Sequence, residues 1–164
     1  MKEHPQILHL FPEKNSEIAE PECAPSPIDY RRLGAAAEAL VYADLSMYGC
    51  NVSNASEGLR YDLIADLEGR LLRVQVKSVM KRNCVAIGGC YTFQNKTGKG
   101  SKNAIGVFRA YVGHVDLLAF VALDLRSAFY ILPEDAGYSV TLLPADFREE
   151  KRLMSLESAI TRIP

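Results

Sequence analysis

Residues 60–78 read RYDLIADLEGRLLRVQVKS, two strand-forming runs on either side of Glu68-Gly69. With Glu68 and Gly69 as the whole loop, the two runs form a hairpin in which Asp62 falls opposite Gln75. Side chains alternate across a strand, so Arg73, Gln75 and Lys77 share one face, while Leu72, Val74 and Val76 share the other. Cross-strand partners lie on the same face, and Asp62, Gln75 and Lys77 are therefore expected to converge. Glu-Gly is a weaker two-residue turn than Asn-Gly; a bulged three-residue loop would shift the register and leave the three groups diagonal neighbours.

Upstream, Tyr30 to Tyr48 (YRRLGAAAEALVYADLSMY) is rich in Ala and Leu, contains no proline and stops at Gly49, where a left-handed residue ends a helix easily. The segment is apolar almost all round, which predicts burial against a sheet, yet Glu38 sits in its middle. Cys50 to Ser53 reads as a short strand before the polar turn NASEG. Downstream, residues 79–110 read as further extended segments and a loop, with NKTGKGSKN the clearest loop. Val115 to Leu123 has the continuous apolar character of a buried central strand after Asp116. Ser127 to Leu132 pairs with it and is closed by Pro133, and SLESAITRI predicts a short C-terminal helix capped by Ser155. The fold class is α/β: a mixed sheet of about five strands, the Tyr30–Tyr48 helix packed on it, and small peripheral helices.

At 164 residues, 48% hydrophobic and 24% charged, the chain has the composition of one ordinary globular domain. Residues 1–29 carry six acidic side chains against two basic ones and five prolines, the signature of a tail or arm, which leaves residues 30–164 as a single domain. The cysteines at 23, 50, 84 and 90 form no C-x-x-C pair, and the histidines at 4, 9 and 114 add no metal-finger spacing. A zinc site is not expected. The N-terminal segment has neither the basic start nor the apolar core of a signal peptide, and no run is long enough to span a bilayer, so a cytoplasmic protein with reduced thiols is expected.

A helix bearing an inward carboxylate, followed by a hairpin with Asp on one strand and X-X-Lys on the next, resembles the core of the PD-(D/E)XK, or restriction-endonuclease-like, nuclease superfamily. The pieces that carry the resemblance are GAAAEALV, RYDLIAD and VQVKS, with VDLLAFVALD and FYILP similar to the strands that follow, together spanning roughly residues 30–133. Their order is most similar to the branch containing Holliday-junction resolvases and homing endonucleases of some group I introns.

The resemblance implies a magnesium-dependent (or manganese-dependent) endonuclease of DNA, duplex or branched, with Glu38, Asp62, Gln75 and Lys77 as the catalytic set. Asp62, Glu38 and Gln75 are then the metal ligands, Glu38 through the metal itself or a water bound to it. Lys77 stabilises the pentavalent phosphate or helps deprotonate the attacking water. One departure stands out: the family's second carboxylate is replaced by Gln75, whose amide oxygen can ligate a hard cation but adds no charge.

Charge distribution points the same way. Between residues 70 and 115 there are nine Lys or Arg and no Asp or Glu, whereas the rest of the chain is net acidic. Such a run suits a phosphate backbone, and Arg73, Ser78, Lys81, Arg82, Lys96, Lys99, Lys102 and Arg109 are the expected nucleic-acid contacts. His114 reads as structural and Asp116 as a polar residue at a strand start. Cutting both strands of a duplex calls for two active sites, so a homodimer or homotetramer is expected by analogy. Two other readings share these features: a catalytically inactive nucleic-acid-binding module of the same fold, and an assembly protein whose basic segment meets an acidic partner. Taken singly, Asp62 and Lys77 also read as an ordinary exposed cross-strand ion pair, Gln75 as a solvated strand residue and Glu38 as a carboxylate at the edge of a less buried helix.

Overall fold

A computed structural model of the protein describes residues 29–80, 89–95 and 111–164. The acidic tail, most of the NKTGKGSKN loop, and Lys81, Arg82, Lys96, Lys99, Lys102 and Arg109 lie outside the described residues.

The first helix, α1 (Tyr30–Met47), starts where the Asp29 carboxylate accepts hydrogen bonds from the backbone N–H groups of Arg31 (3.0 Å) and Arg32 (3.4 Å). Such a cap contributes about 1 kcal/mol by satisfying donors that have no partner within the helix. The helix ends at Tyr48, and Gly49 follows with φ at 104°, the left-handed conformation foreseen for it. The helix is buried against the sheet as expected. Only the stripe Ala37, Val41 and Leu45 is fully buried, because the apolar character elsewhere comes largely from Ala35, Ala36, Ala39 and Ala43, whose small side chains tolerate solvent.

Strands β1 (Asn51–Asn54), β2 (Leu63–Leu67) and β3 (Arg70–Val79) form an antiparallel meander. Leu67 pairs with Arg70, so the hairpin loop is the two residues Glu68 and Gly69, and both have positive φ, 53° and 86°. This matches the twist of the flanking strands, and Asp66 Oδ1 accepts the Gly69 N–H at 2.8 Å, holding the turn with a side chain that an Asn-Gly turn would not need. Glu68 bears the cost of the left-handed conformation, of the order of 1 kcal/mol.

On its other side β3 pairs in parallel with β5 (Leu117–Ala122), which pairs antiparallel with β6 (Ser127–Ile131). The order β1-β2-β3-β5-β6 makes the expected five-stranded mixed sheet. All six residues of β5 are buried, which explains its continuous apolar run.

One face of the sheet is covered by helices. Leu63, Ala65, Leu72, Val74, Val76 and Ala119 pack there against α1 and against α2 (Glu149–Arg162). Across this layer the Tyr130 hydroxyl donates to Asp44 at 2.7 Å, and Arg152 donates to the other oxygen of Asp44 at 3.1 Å, tying β6, α1 and α2 together. The opposite face is covered by a second, two-stranded sheet of β4 (Tyr91–Gln94) and β7 (Ser139–Leu142), which buries Tyr91, Phe93, Tyr111, Leu118 and Phe120.

The C-terminal helix departs from expectation. It begins at Glu149, and Ser155 lies inside it rather than at its cap. The Ser155 hydroxyl donates to the Arg152 carbonyl (2.8 Å) and accepts the Tyr130 N–H (3.1 Å), so it satisfies a donor on strand β6 while remaining helical. Glu149 and Glu150 in the first turn favour the earlier start through the helix dipole.

Candidate active site

The β2 ladder stops at Leu63, which pairs with Val74, while β3 continues for five more residues. Asp62 therefore stands where one strand ends and its neighbour runs on. Its N–H donates to the Val74 carbonyl at 2.8 Å, and its own carbonyl accepts the Ala55 N–H at 2.9 Å, so the backbone on which the carboxylate stands is fixed. Beyond it, the Val76 N–H would lack a strand partner; Asp62 Oδ2 accepts it at 2.7 Å and also accepts a short hydrogen bond from the Gln75 amide. The carboxylate thus takes the place of the missing strand residue. Its other oxygen, Oδ1, makes no hydrogen bond among the described residues.

Gln75 is buried, and its Nε2 donates to Asp62 and to the Val76 carbonyl at 3.2 Å. Lys77 follows on the same face, half-buried, its Nζ 5.1 Å from the centroid of the Tyr111 ring. Among the described residues no salt bridge joins Lys77 to Asp62, so the ordinary cross-strand ion pair is not what the register produces. Glu38, half-buried on α1, completes the corner electrostatically.

Burial pushes the Glu38 carboxyl above the usual range, and the neighbouring Asp62 carboxylate pushes it further. Asp62 is likewise raised by burial, which outweighs the Val76 N–H, the Lys77 charge and the Gln75 amide, all favouring its charged form. Two carboxylates held in their less comfortable state, with one free oxygen on Asp62 and an amide beside it, are a donor set that suits a hard divalent cation. Among the described residues no group of three His, Cys, Asp or Glu side chains could hold a metal, and the polar side chain beside Asp62 is the Gln75 amide. A cation between Gln75 and Asp62 would require the amide to turn, bringing Oε1 rather than Nε2 to face it.

The expected nucleic-acid contacts separate. Arg73 shares the face of Gln75 and Lys77, but its guanidinium is engaged by Asp116: Nε donates to Oδ2 at 2.9 Å, Nη2 to Oδ1 at 2.8 Å, and Nη1 to the Gly113 carbonyl at 3.2 Å. The Arg73 N–H donates to Asp116 Oδ2 at 2.7 Å, while the Asp116 N–H returns a bond to the Arg73 carbonyl at 2.8 Å. Ser78 is exposed on the opposite, helix-covered face, in line with Val74 and Val76. The other six contacts fall outside the described residues.

Three contributors escaped the sequence reading. The Val76 N–H was foreseeable, since an Asp at a strand's start beside a longer neighbour commonly caps it. Asp116 was signalled by its place before the apolar run, at the height of Arg73. Tyr111 gave no signal, because the packing of its ring follows from the second sheet.

A mixed five-stranded sheet with α1 packed on it is a restriction-endonuclease-like fold. The chain belongs to the PD-(D/E)XK endonuclease family, whose sequence model matches residues 28–158. Among solved structures it is similar to a bacterial homing endonuclease, I-Ssp6803I, at a TM-score of 0.57 and 21% identity, covering 82% of this chain and 96% of that one. At that identity the likeness concerns the fold. No curated protein sequence matches the chain. Among the described residues no helix is long and apolar enough to cross a membrane.

Proposed function

We propose that this member of the family is a divalent-cation-dependent endodeoxyribonuclease, cytoplasmic, acting on duplex or branched DNA. The observation that carries the reading is the Asp62 corner: an Asp whose backbone is fixed on both sides, with Gln75 and Lys77 on the same face and Glu38 near enough for the Asp62 carboxylate to raise its pKa.

Asp62, Glu38 and Gln75 would hold the cation, Mg²⁺ or Mn²⁺, which when bound neutralises charge on the phosphate and activates a water. Asp62 presents Oδ1 while the Val76 N–H holds Oδ2, so the carboxylate stays in place when the Gln75 amide turns. Glu38 orients water at the edge of the corner. Lys77 offers its ammonium to the charge that develops on the phosphate. Lys81, Arg82, Lys96, Lys99, Lys102 and Arg109 supply phosphate contacts; Arg73 takes part in binding only through the donors that Asp116 leaves over, and Ser78, on the opposite face, is left out of the contact set. A homodimer or homotetramer would supply two sites for two strands.

The test is incubation of purified protein with supercoiled plasmid, four-way-junction DNA and single-stranded DNA, with Mg²⁺, Mn²⁺ or EDTA. Cation-dependent cleavage of one of them that is lost in Asp62→Asn is the expected result. A second reading, a binding module without chemistry, is favoured by one observation, the Gln75 amide that donates to Asp62 where the family has a carboxylate. Salt-sensitive binding of all three DNAs with no cleavage under any cation would establish it instead.

A further inference from the structure

Lys77 has the longest side chain of the site. A lysine stem is flexible and carries a compact ammonium, which is free to form a contact pair with a carboxylate beside it. Here it does not: its Nζ lies over the ring of Tyr111, 5.1 Å from the centroid, within the range in which an aromatic face attracts a cation.

The ring is well anchored for this task. Tyr111 is 3% exposed and belongs to the cluster of Tyr91, Phe93, Val115, Leu118 and Phe120 between the two sheets. Its carbonyl accepts the N–H groups of His114 and Val115, each at 3.0 Å, in a tight turn that leads into β5. That strand pairs with β3 so that Lys77 lies beside Phe120. Lys77 is therefore carried by β3, and the ring by the turn that leads into the neighbouring strand β5.

We propose that Tyr111 is a positioning residue: its ring face holds the Lys77 ammonium off Asp62, so that Asp62 Oδ1 stays open and the ammonium points at the scissile phosphate. The inference rests on the nuclease reading of the site. It assigns the ring a role beyond packing, because the same ring that fills the inter-sheet core also offers Lys77 an alternative to the carboxylate. It also predicts which property of residue 111 matters, namely an aromatic face rather than a hydroxyl.

The experiment compares wild type with Tyr111→Phe, Tyr111→Leu, Tyr111→Met and Lys77→Ala, using plasmid cleavage under saturating Mn²⁺. Tyr111→Leu and Tyr111→Met should lower kcat about ten- to a hundredfold, while KM and DNA binding in Ca²⁺ stay within about twofold. Tyr111→Phe should keep kcat within about threefold, since the ring face is retained. In the wild-type ¹H–¹³C spectrum one lysine ε-methylene should be displaced upfield by the ring, and the signal should vanish in Lys77→Ala.

Folded Tyr111→Leu or Tyr111→Met with wild-type kcat overturns the inference, as does a Tyr111→Phe protein as slow as Tyr111→Leu. If neither apolar variant folds, the spectrum decides, and absence of an upfield lysine methylene overturns the inference. Failure of the underlying reading looks different: Lys77→Ala would then cut as fast as wild type, whereas failure of the inference alone leaves Lys77→Ala inert and the Tyr111 variants active.

Discussion

Strand β3 carries two charged corners on one face, two residues apart, and they are built on opposite principles. At Arg73 the guanidinium and backbone N–H together deliver three hydrogen bonds to Asp116. Burial works against the charged form of Asp116, but the Arg73 side chain, its backbone and its charge together outweigh burial and hold the carboxyl below its usual range. At Gln75 the balance is reversed: burial outweighs every favourable partner of Asp62, and Asp62 and Glu38 both lie above their usual range. One corner has its charges matched and locks β3 to β5. The other is left with its charge unmatched, which is what the proposed binding of a cation and a phosphate calls for.

The largest expected effect breaks the second corner. Asp62→Asn should reduce cation-dependent cleavage by about 10³-fold or more, by loss of the central carboxylate ligand, with DNA binding kept or strengthened. Its stability should move the other way. Folding raises the pKa of Asp62, so the folded chain holds more protons than the unfolded one across the carboxylate range. The contribution is fully present below the ordinary carboxylate pKa and is lost as pH rises through the raised value. Without added cation, Asp62→Asn should thus be at least as stable as wild type at pH 7, and the advantage should disappear on acidification. Urea denaturation at a series of pH values checks this, and a neutral-pH loss of stability in a cation-free buffer would refute it.

Next in size is Gln75→Glu, which restores the family's usual carboxylate. Where the amide donated to Asp62, a second carboxylate would now face it, and an unpaired buried charge should destabilise the cation-free protein by about 2–3 kcal/mol at pH 7. Addition of Mg²⁺ should reverse most of that loss and bind more tightly than in wild type, which isothermal titration calorimetry measures directly. Equal Mg²⁺ affinity in the two proteins would remove residue 75 from the ligand set.

Asp116→Ala breaks the first corner and should do the converse. Arg73 loses its charged acceptor, and stability should fall by about 1–2 kcal/mol, a modest figure because Arg73 is 38% exposed. The loss should be complete above the ordinary carboxylate range and shrink as pH falls through the lowered value, the opposite of the Asp62 response. Cleavage by the folded protein should persist. A variant that is stable but inactive would mean that Arg73 and Asp116 belong to the active site after all.

The two corners differ also in how legible they were. The hairpin register follows from alternation and one Gly, so the sequence alone places Asp62, Gln75 and Lys77 on one face of the hairpin. Glu38 was visible as a charge within an apolar helix. The Arg73–Asp116 clamp was half visible, because parallel pairing of β3 with β5 joins residues 43 apart and no local pattern encodes that register. The β4–β7 sheet was not foreseen as a layer, since two four-residue strands far apart in sequence leave almost no periodicity. The early start of α2 was hidden because Ser155 resembles a cap in sequence while satisfying a strand donor in space.

The smallest expected effect compares both corners in one measurement. A ligand that binds only the folded state stabilises it in proportion to the logarithm of its saturation, so Mg²⁺ at about ten times its dissociation constant adds about 1.4 kcal/mol. For a domain of this size that is a rise in Tm of about 3–5 °C. Wild type should show it, since the cation relieves the two raised carboxylates at Glu38 and Asp62. Asp116→Ala should show the same rise from a lower starting Tm, because the matched corner contributes no ligand. Asp62→Asn should show almost none, and sodium chloride of equal ionic strength should reproduce none of the wild-type rise, which separates site binding from general screening. An equal Mg²⁺ response in wild type and Asp62→Asn would place the cation elsewhere and remove the contrast between the corners.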